Sequence, residues 1–147
     1  MFKRILVAAD GSQLSEMAVT KAIELSLLSG AELRAFTVVP LEPFAHLPRT
    51  MFSEAYQLEA QRHSATVAQA LVDAAKSAAL AKGVRNVAAT VLESNDIAES
   101  IVEFAKKEEC DLIVMASHGR RGVKRLLMGS ETMNVLSLSH IPVLVCR

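Results

Sequence analysis

The chain alternates between short, nearly continuous apolar runs and longer segments whose apolar residues recur at helical spacing. Continuous runs rich in Val, Ile and Leu are typical of strands that are covered on both faces. Runs of this kind occupy residues 5–9, 33–39, 87–92, 112–116 and 143–146. The segments between them predict helices, among them a stripe of Leu14, Ala18, Ala22 and Leu25 and a long helix that begins after Thr50.

Glycines and small polar residues mark the expected helix ends. Gly30 and Gly83 stand where the first two helices are expected to have their C-caps. Asp96, followed three positions later by Glu99, has the spacing of a capping box at the start of the third helix. Ser130 is a good N-cap for the last helix, because its hydroxyl can accept a hydrogen bond from the first turn.

Strand and helix alternate throughout, which predicts one α/β domain over residues 1–147. We expect an open, doubly wound, five-stranded parallel sheet with helices on both faces. Right-handed crossovers leave few strand orders, and we favour 3-2-1-4-5, with strand 1 beside strand 4. The prolines of residues 40–50 predict an irregular segment after strand 2, which is either a plain connector or a lid or partner-contact loop.

Composition and charge narrow the class of protein. Lys and Arg (16) balance Asp and Glu (16), so we expect neither nucleic acid nor a membrane as a partner. The first residues do not resemble a signal peptide and no apolar stretch reaches the roughly 20 residues of a membrane span, which predicts a cytoplasmic location. Cys110 and Cys146 lie in or beside apolar runs and are expected to be buried, reduced thiols. The histidines lack metal-ligand spacing, and we predict no metal cage.

The proposed strand order places two polar strand ends at one switch point, where doubly wound sheets bind ligands. Strand 1 ends in Asp10, and strand 4 ends in Ser117, His118 and Gly119. Asp10 can accept a hydrogen bond from a ribose or a base, or hold a water of Mg²⁺ beside phosphates. It can equally cap the first helix together with Ser12.

A loop of small and basic residues follows strand 4 and leads into the last helix. Gly119 and Gly129 let the main chain approach ligand oxygens, and the helix N-terminus beyond them suits a phosphate. The Ser130 hydroxyl and the N–H groups of Glu131 and Thr132 are candidates to contact that phosphate. An ordinary cap is the alternative role for Ser130.

Basic and apolar side chains complete the candidate site. Of the four cations at residues 120–125, Arg120 or Arg121 is expected to reach phosphates, and Lys124 and Arg125 are expected to form a solvated face. His118 has no evident partner acid, so we favour binding over general acid–base catalysis. Val38 and its neighbour Val39 offer a wall for a flat adenine ring, or are simply core. Neither a P-loop nor a dinucleotide fingerprint is present.

The sequence resembles the universal stress protein family over nearly its whole length. The resemblance is carried by K-R-I-L-V-A-A-D-G-S at residues 3–12, G-A-E-L at 30–33, D-L-I-V-M-A-S-H-G-R-R-G from Asp111, L-L-M-G-S at 126–130 and I-P-V-L-V at 141–145. It implies a five-stranded α/β fold, a homodimer and, in one branch of the family, the binding of ATP. Because Asp10 can hold a water of Mg²⁺, we expect the ATP to bind together with Mg²⁺.

That branch carries a loop of the form Gly, two residues, Gly, nine residues, Gly, then Ser or Thr. The corresponding positions here are Ala116, Gly119, Gly129 and Ser130. The resemblance also implies that the nucleotide lies beside Asp10 and the backbone near Ala8, with Val38 against the adenine. Glu131 adds a carboxylate near the phosphate position, where it either repels a triphosphate or helps to hold a divalent metal.

We favour a homodimeric, ATP-binding regulatory module with no catalytic residue. The alternatives are a slow ATPase or phosphoryl-transfer enzyme assisted by Asp10 or His118, and a nucleotide-free dimeric scaffold or chaperone-like protein. The apolar last strand predicts the dimer independently of the family, by antiparallel pairing through Val143, Leu144 and Val145. A helix or loop that covers this edge is the alternative.

Overall fold

The computed structural model describes residues 1–119 and 128–147. The strands are β1 (Arg4–Ala8), β2 (Glu32–Val39), β3 (Val87–Glu93), β4 (Leu112–Ala116) and β5 (Val143–Cys146). The helices are α1 (Gln13–Ser29), α2 (Glu54–Ala81), α3 (Ile97–Lys107) and α4 (Ser130–Leu138). Every strand boundary lies within one residue of the sequence prediction.

All strand pairs of the sheet are parallel, and the strand order is β3-β2-β1-β4-β5. This order confirms the prediction. β1 lies between β2 and β4, with Ala8 opposite Phe36 on one side and Val7 opposite Val114 on the other. The carboxyl ends of β1 and β4 are therefore neighbours, while β3 and β5 form the two edges of the sheet.

Alternating side chains of the strands build two separate hydrophobic layers. One face, which includes Ile5, Val7 and Val114, packs against apolar residues of α1 and α2. The other face, which includes Leu6 and Phe36, packs against α3 and α4. The sheet is thus covered by helices on both faces, as predicted, and its strands β1, β2 and β4 all carry fully buried residues.

The segment between β2 and α2 is irregular as predicted, apart from a single 3₁₀ turn at Arg49–Met51. Pro48 precedes that turn, where its fixed φ and missing N–H are tolerated. Ser53 then caps α2, because its Oγ accepts a hydrogen bond from the Tyr56 N–H at 3.2 Å. Phe44 packs near the rings of Phe52 and Tyr56, so the segment is anchored to the start of α2.

One predicted cap is confirmed and two are wrong. Gly30 is the C-cap of α1, with φ 72°, as predicted. Asp96 stands at the N-cap position of α3, but its side chain makes no capping hydrogen bond, so the predicted capping box with Glu99 is wrong. Gly83 is not the C-cap of α2: Lys82 takes that position, and Gly83 follows it with φ 100°.

The cysteines lie at different depths. Cys110 is buried and reduced, as predicted, and burial raises the pKa of its thiol to about 11. Cys146 is also reduced but only partly buried. Over residues 1–119 and 128–147, no helix is long and apolar enough to span a membrane.

Two buried serines of α1 differ in how their hydroxyls are used. Within the described part of the chain, Ser26 Oγ is buried and makes no hydrogen bond. Ser15 is equally buried, and its Oγ accepts a hydrogen bond from the Asp10 N–H at 3.0 Å. A buried polar group is unfavourable when it is unpaired, so the two hydroxyls contribute to stability with opposite signs.

We expect Ser26→Ala to raise the free energy of unfolding by about 1 kcal/mol, since it removes an unpaired buried hydroxyl and favours helix. The matched variant Ser15→Ala should lower it by about 1–2 kcal/mol, because it leaves the Asp10 N–H without its acceptor. Urea denaturation of both variants measures the two shifts. Shifts of the same sign would contradict the assignment of the two hydroxyls.

Candidate functional site

The end of β1 is held in place by a short series of hydrogen bonds. The Ala9 N–H donates to the Phe36 carbonyl at 2.9 Å and continues the pairing with β2. Asp10 Oδ1 then accepts the Ser12 N–H at 2.9 Å. Ser12 in turn caps α1, because its Oγ accepts the Ser15 N–H at 3.2 Å. Asp10 therefore positions the cap residue of α1 but does not itself cap the helix.

The end of β4 lies directly against this aspartate. A Cβ atom built on Gly119 would stand 2.7 Å from Asp10 Oδ2, closer than real Cβ contacts allow. The backbone of Gly119 does not have a positive φ, so space rather than conformation requires glycine here. The predicted meeting of the β1 and β4 ends is thus present, with the Asp10 carboxylate at its centre.

Gly129 and Thr132 connect the start of α4 to the end of β4. The Gly129 N–H donates to the Ser117 carbonyl at 2.7 Å, and a Cβ on Gly129 would lie 3.1 Å from that same oxygen. The buried Thr132 hydroxyl donates to the Ala116 carbonyl at 2.9 Å. This hydroxyl is occupied within the protein, and only the backbone N–H of Thr132 is left as a ligand candidate.

The first N–H groups of α4 have no capping side chain at the N-cap position, which is occupied by glycine. The N-cap is Gly129, with an extended backbone, and Ser130 is the first helical residue, so the predicted Ser130 cap is wrong. Among the described residues, no side chain makes a capping bond at this end. Ser130 and Glu131 are both exposed. The N-terminus of α4 therefore carries a partial positive charge that favours an anion.

His118 has a partner that the sequence did not reveal. Its Nδ1 lies 2.8 Å from Ser117 Oγ, and Ser117 is only 1% exposed. A hydroxyl at this depth is not presented to a ligand, but it orients the imidazole ring of its neighbour. The contact with Ser117 therefore fits the predicted binding role of His118, as a polar side chain held in one orientation.

Side chains at the ends of the strands lie on two different faces of the sheet. Ala8 and Val38 are partly buried and belong to the face covered by α3 and α4. Ala116 follows Leu112 and Val114 at every second position, and those two belong to the face covered by α1 and α2. The methyl group of Ala116 therefore lies on the opposite side of the sheet from Ala8 and Val38.

Comparison with known proteins gives this site its context. The family model described as the universal stress protein family matches residues 1–147. The chain belongs to the universal stress protein family. Universal stress protein MJ0531 of Methanocaldococcus jannaschii is 35% identical, over 100% of this chain and 83% of that protein. Universal stress protein YxiE of Bacillus subtilis is 31% identical, over the full length of both.

Solved structures of universal stress proteins share the fold. UspA from Lactobacillus plantarum has a TM-score of 0.85 at 25% identity, covering 99% of this chain and 97% of that one. A universal stress protein in complex with cAMP has a TM-score of 0.72 at 22% identity, covering 99% and 97%. One from Archaeoglobus fulgidus, in complex with dAMP, has a TM-score of 0.62 at 19% identity, covering 99% and 98%.

Some site residues of this universal stress protein lie apart from the meeting of the β1 and β4 ends or were missed from the sequence. Glu131 lines a cavity of about 290 Å³ between the start of α3 and α4, together with Asp96. Arg120 and Arg121 lie outside the described residues. Ser15 was missed, although its spacing from Ser12 is a signal. Asn95, which contacts the segment after β2, has no signal in the sequence pattern.

Proposed function

We propose that this universal stress protein binds ATP at the carboxyl ends of β1 and β4 and acts as a homodimeric regulatory module in the cytoplasm. The observation that carries the proposal is the meeting of three features at the carboxyl ends of β1 and β4. These are the Asp10 carboxylate against Gly119, the N-terminus of α4, where no described side chain makes a capping bond, and the Gly129 contact that joins that terminus to β4.

The phosphate end of the proposed site is the start of α4. The backbone N–H groups of Ser130, Glu131 and Thr132 and the Ser130 hydroxyl would hold phosphate oxygens there, with Gly129 allowing close approach. Arg120 is part of the proposal from the sequence alone. Mg²⁺ would neutralise part of the phosphate charge, with Asp10 as a partner for one of its waters.

The base and ribose end is proposed along β1 and β2. Ala8 and Val38 keep part of their surface exposed at the ends of their strands and offer an apolar wall for adenine. Asp10 follows Ala8 by two positions, and its carboxylate is the proposed partner of a ribose hydroxyl. Ala116 does not narrow this space, since its methyl group lies on the opposite face of the sheet. The same-fold complexes with cAMP and dAMP are those of other proteins, and they agree with an adenine nucleotide as the ligand.

Self-association through β5 belongs to the same proposal. β5 is an edge strand of the sheet, and Leu144 on it is 39% exposed. An apolar edge with unpaired backbone groups is a template for pairing with a second copy. A two-fold axis perpendicular to the strands would pair the two β5 strands antiparallel.

The experiment for the nucleotide proposal has two steps. The purified protein is denatured and the released small molecules are chromatographed; the stripped protein is then titrated with Mg·ATP by calorimetry. We expect released adenine nucleotide or micromolar binding, with a stabilisation of about 2.7 kcal/mol at a hundredfold excess of ligand over Kd. Absence of both would favour the nucleotide-free scaffold, and ATP turnover above background would favour the enzyme.

A further inference from the structure

A side chain extends the pairing of β2 and β3 beyond the last strand residues. The backbone ladder ends where the Ser94 N–H donates to the Val39 carbonyl at 2.9 Å. Asn95 continues it with its amide oxygen. Oδ1 accepts the Leu41 N–H at 3.1 Å and, more weakly, the Glu42 N–H at 3.4 Å.

The two partners of Asn95 show that its amide oxygen, and not its amide nitrogen, makes the contact. Both partners of Asn95 are N–H donors, so the amide must turn its oxygen, not its nitrogen, toward them. The oxygen takes the place of a backbone carbonyl on a longer β3. The main chain is thereby free to turn after Ser94 and begin α3 at Ile97, while the first residues of the irregular segment stay attached to β3.

The contact holds the first residues of the chain after β2 against the end of β3. Val38 is the proposed wall for the base, and the residues held by Ser94 and Asn95 follow it by one to four positions. Adenine and guanine differ in the donors and acceptors of their polar edge, so a protein distinguishes them with polar groups in fixed positions. The backbone N–H and C=O groups next to Val38 can distinguish the two bases only while the main chain that carries them is held in one conformation.

We propose that Asn95 is a positioning residue that sets the base selectivity of the nucleotide site, by fixing residues 41–42 at the base end of that site. This inference rests on the proposed ATP site, since it concerns which base that site accepts. Asn95 acts through the backbone that it holds. It is exposed, as are Leu41 and Glu42, so water can replace the lost contacts and the fold tolerates its removal.

The test compares Asn95→Ala with Asn95→Asp, which keeps an oxygen acceptor. For each protein, calorimetry gives the Kd values of Mg·ATP, Mg·GTP and tripolyphosphate. In Asn95→Ala we expect the preference for ATP over GTP to fall about three- to tenfold, the scale of ordering a few residues. Tripolyphosphate affinity should not change, because the contact lies at the base end.

Asn95→Asp should retain the wild-type preference. Its added charge acts on ATP and GTP alike and therefore cancels in the ratio of their Kd values. Amide hydrogen exchange at Leu41 and Glu42 provides a readout without nucleotide: exchange should accelerate in Asn95→Ala and stay slow in Asn95→Asp. This readout reports the Asn95 contact whether or not ATP binds.

The possible results separate the role of Asn95 from the proposed ATP site. Lost ATP preference in Asn95→Ala with rescue in Asn95→Asp supports the inference. An unchanged preference in Asn95→Ala, or an equal loss of tripolyphosphate affinity, overturns it and leaves ATP binding intact. A wild-type protein that binds no nucleotide overturns the proposed function and the base selectivity with it.

Discussion

Gly119→Val is expected to weaken Mg·ATP binding about a hundredfold or more, equivalent to about 2.7 kcal/mol. Even the first carbon of the new side chain would stand 2.7 Å from Asp10 Oδ2, so the carboxylate or the end of β4 has to move. Displacement of the carboxylate removes the proposed partner of the ribose and of Mg²⁺, and displacement of the end of β4 separates the two strand ends that form the proposed crevice. Calorimetric titration of the variant measures the loss, and size-exclusion chromatography should show an unchanged oligomeric state.

A double-mutant cycle separates this collision from general damage to the fold. We expect Gly119→Ala alone to lower the free energy of unfolding by about 1–3 kcal/mol, the usual effect of overpacking. Combined with Asp10→Ala, the same change should be much less harmful, which gives a coupling of about 0.5–3 kcal/mol. Strict additivity of the two substitutions, or wild-type ATP affinity in Gly119→Val, would contradict the central role of this contact.

The fold was predictable because its signals are repeated along the sequence. Continuous apolar runs such as residues 112–116 match buried parallel strands. The handedness of crossovers limits their order to a few arrangements, and the one that brings the polar ends of β1 and β4 together is the observed one. The edge position of β5 follows from that same order. Each of these inferences depends on a pattern of several residues, so an error at one position changes only a boundary.

The site was predictable in its location but not in its hydrogen bonds. Ser130 has the better capping side chain, yet Gly129 takes the N-cap position because its N–H pairs with the Ser117 carbonyl. That contact is tertiary and leaves no mark in local sequence. The same holds for Asn95, an exposed residue in a turn whose partner Leu41 is 54 positions away. Contacts of this kind depend on how elements meet, which periodicity does not encode.

Val145→Pro is expected to convert the proposed homodimer into a monomer of 15.9 kDa. Ile113 and Ser117 on the β4 side donate their N–H groups to the Pro142 and Cys146 carbonyls. Backbone groups of a parallel strand alternate in direction, so those of Val143 and Val145 face the open edge. Proline at 145 therefore removes an outward N–H and spares the pairing with β4, a position where edge strands tolerate it.

A two-fold axis doubles the effect, because each copy loses the same donor and gains the same bulk at the interface. We expect the dimer Kd to rise at least about a hundredfold, since the ring obstructs each strand in addition to the two lost hydrogen bonds.

Ala89→Pro, on the other edge strand, is the matched control. The Leu33 N–H donates to the Asn86 carbonyl and the Ser94 N–H donates to the Val39 carbonyl, so the even-numbered residues of β3 face β2 and residue 89 faces outward. Light scattering after size exclusion should show a monomer for Val145→Pro and a dimer for Ala89→Pro. A dimer in Val145→Pro, or dissociation in both variants, would remove β5 as the interface.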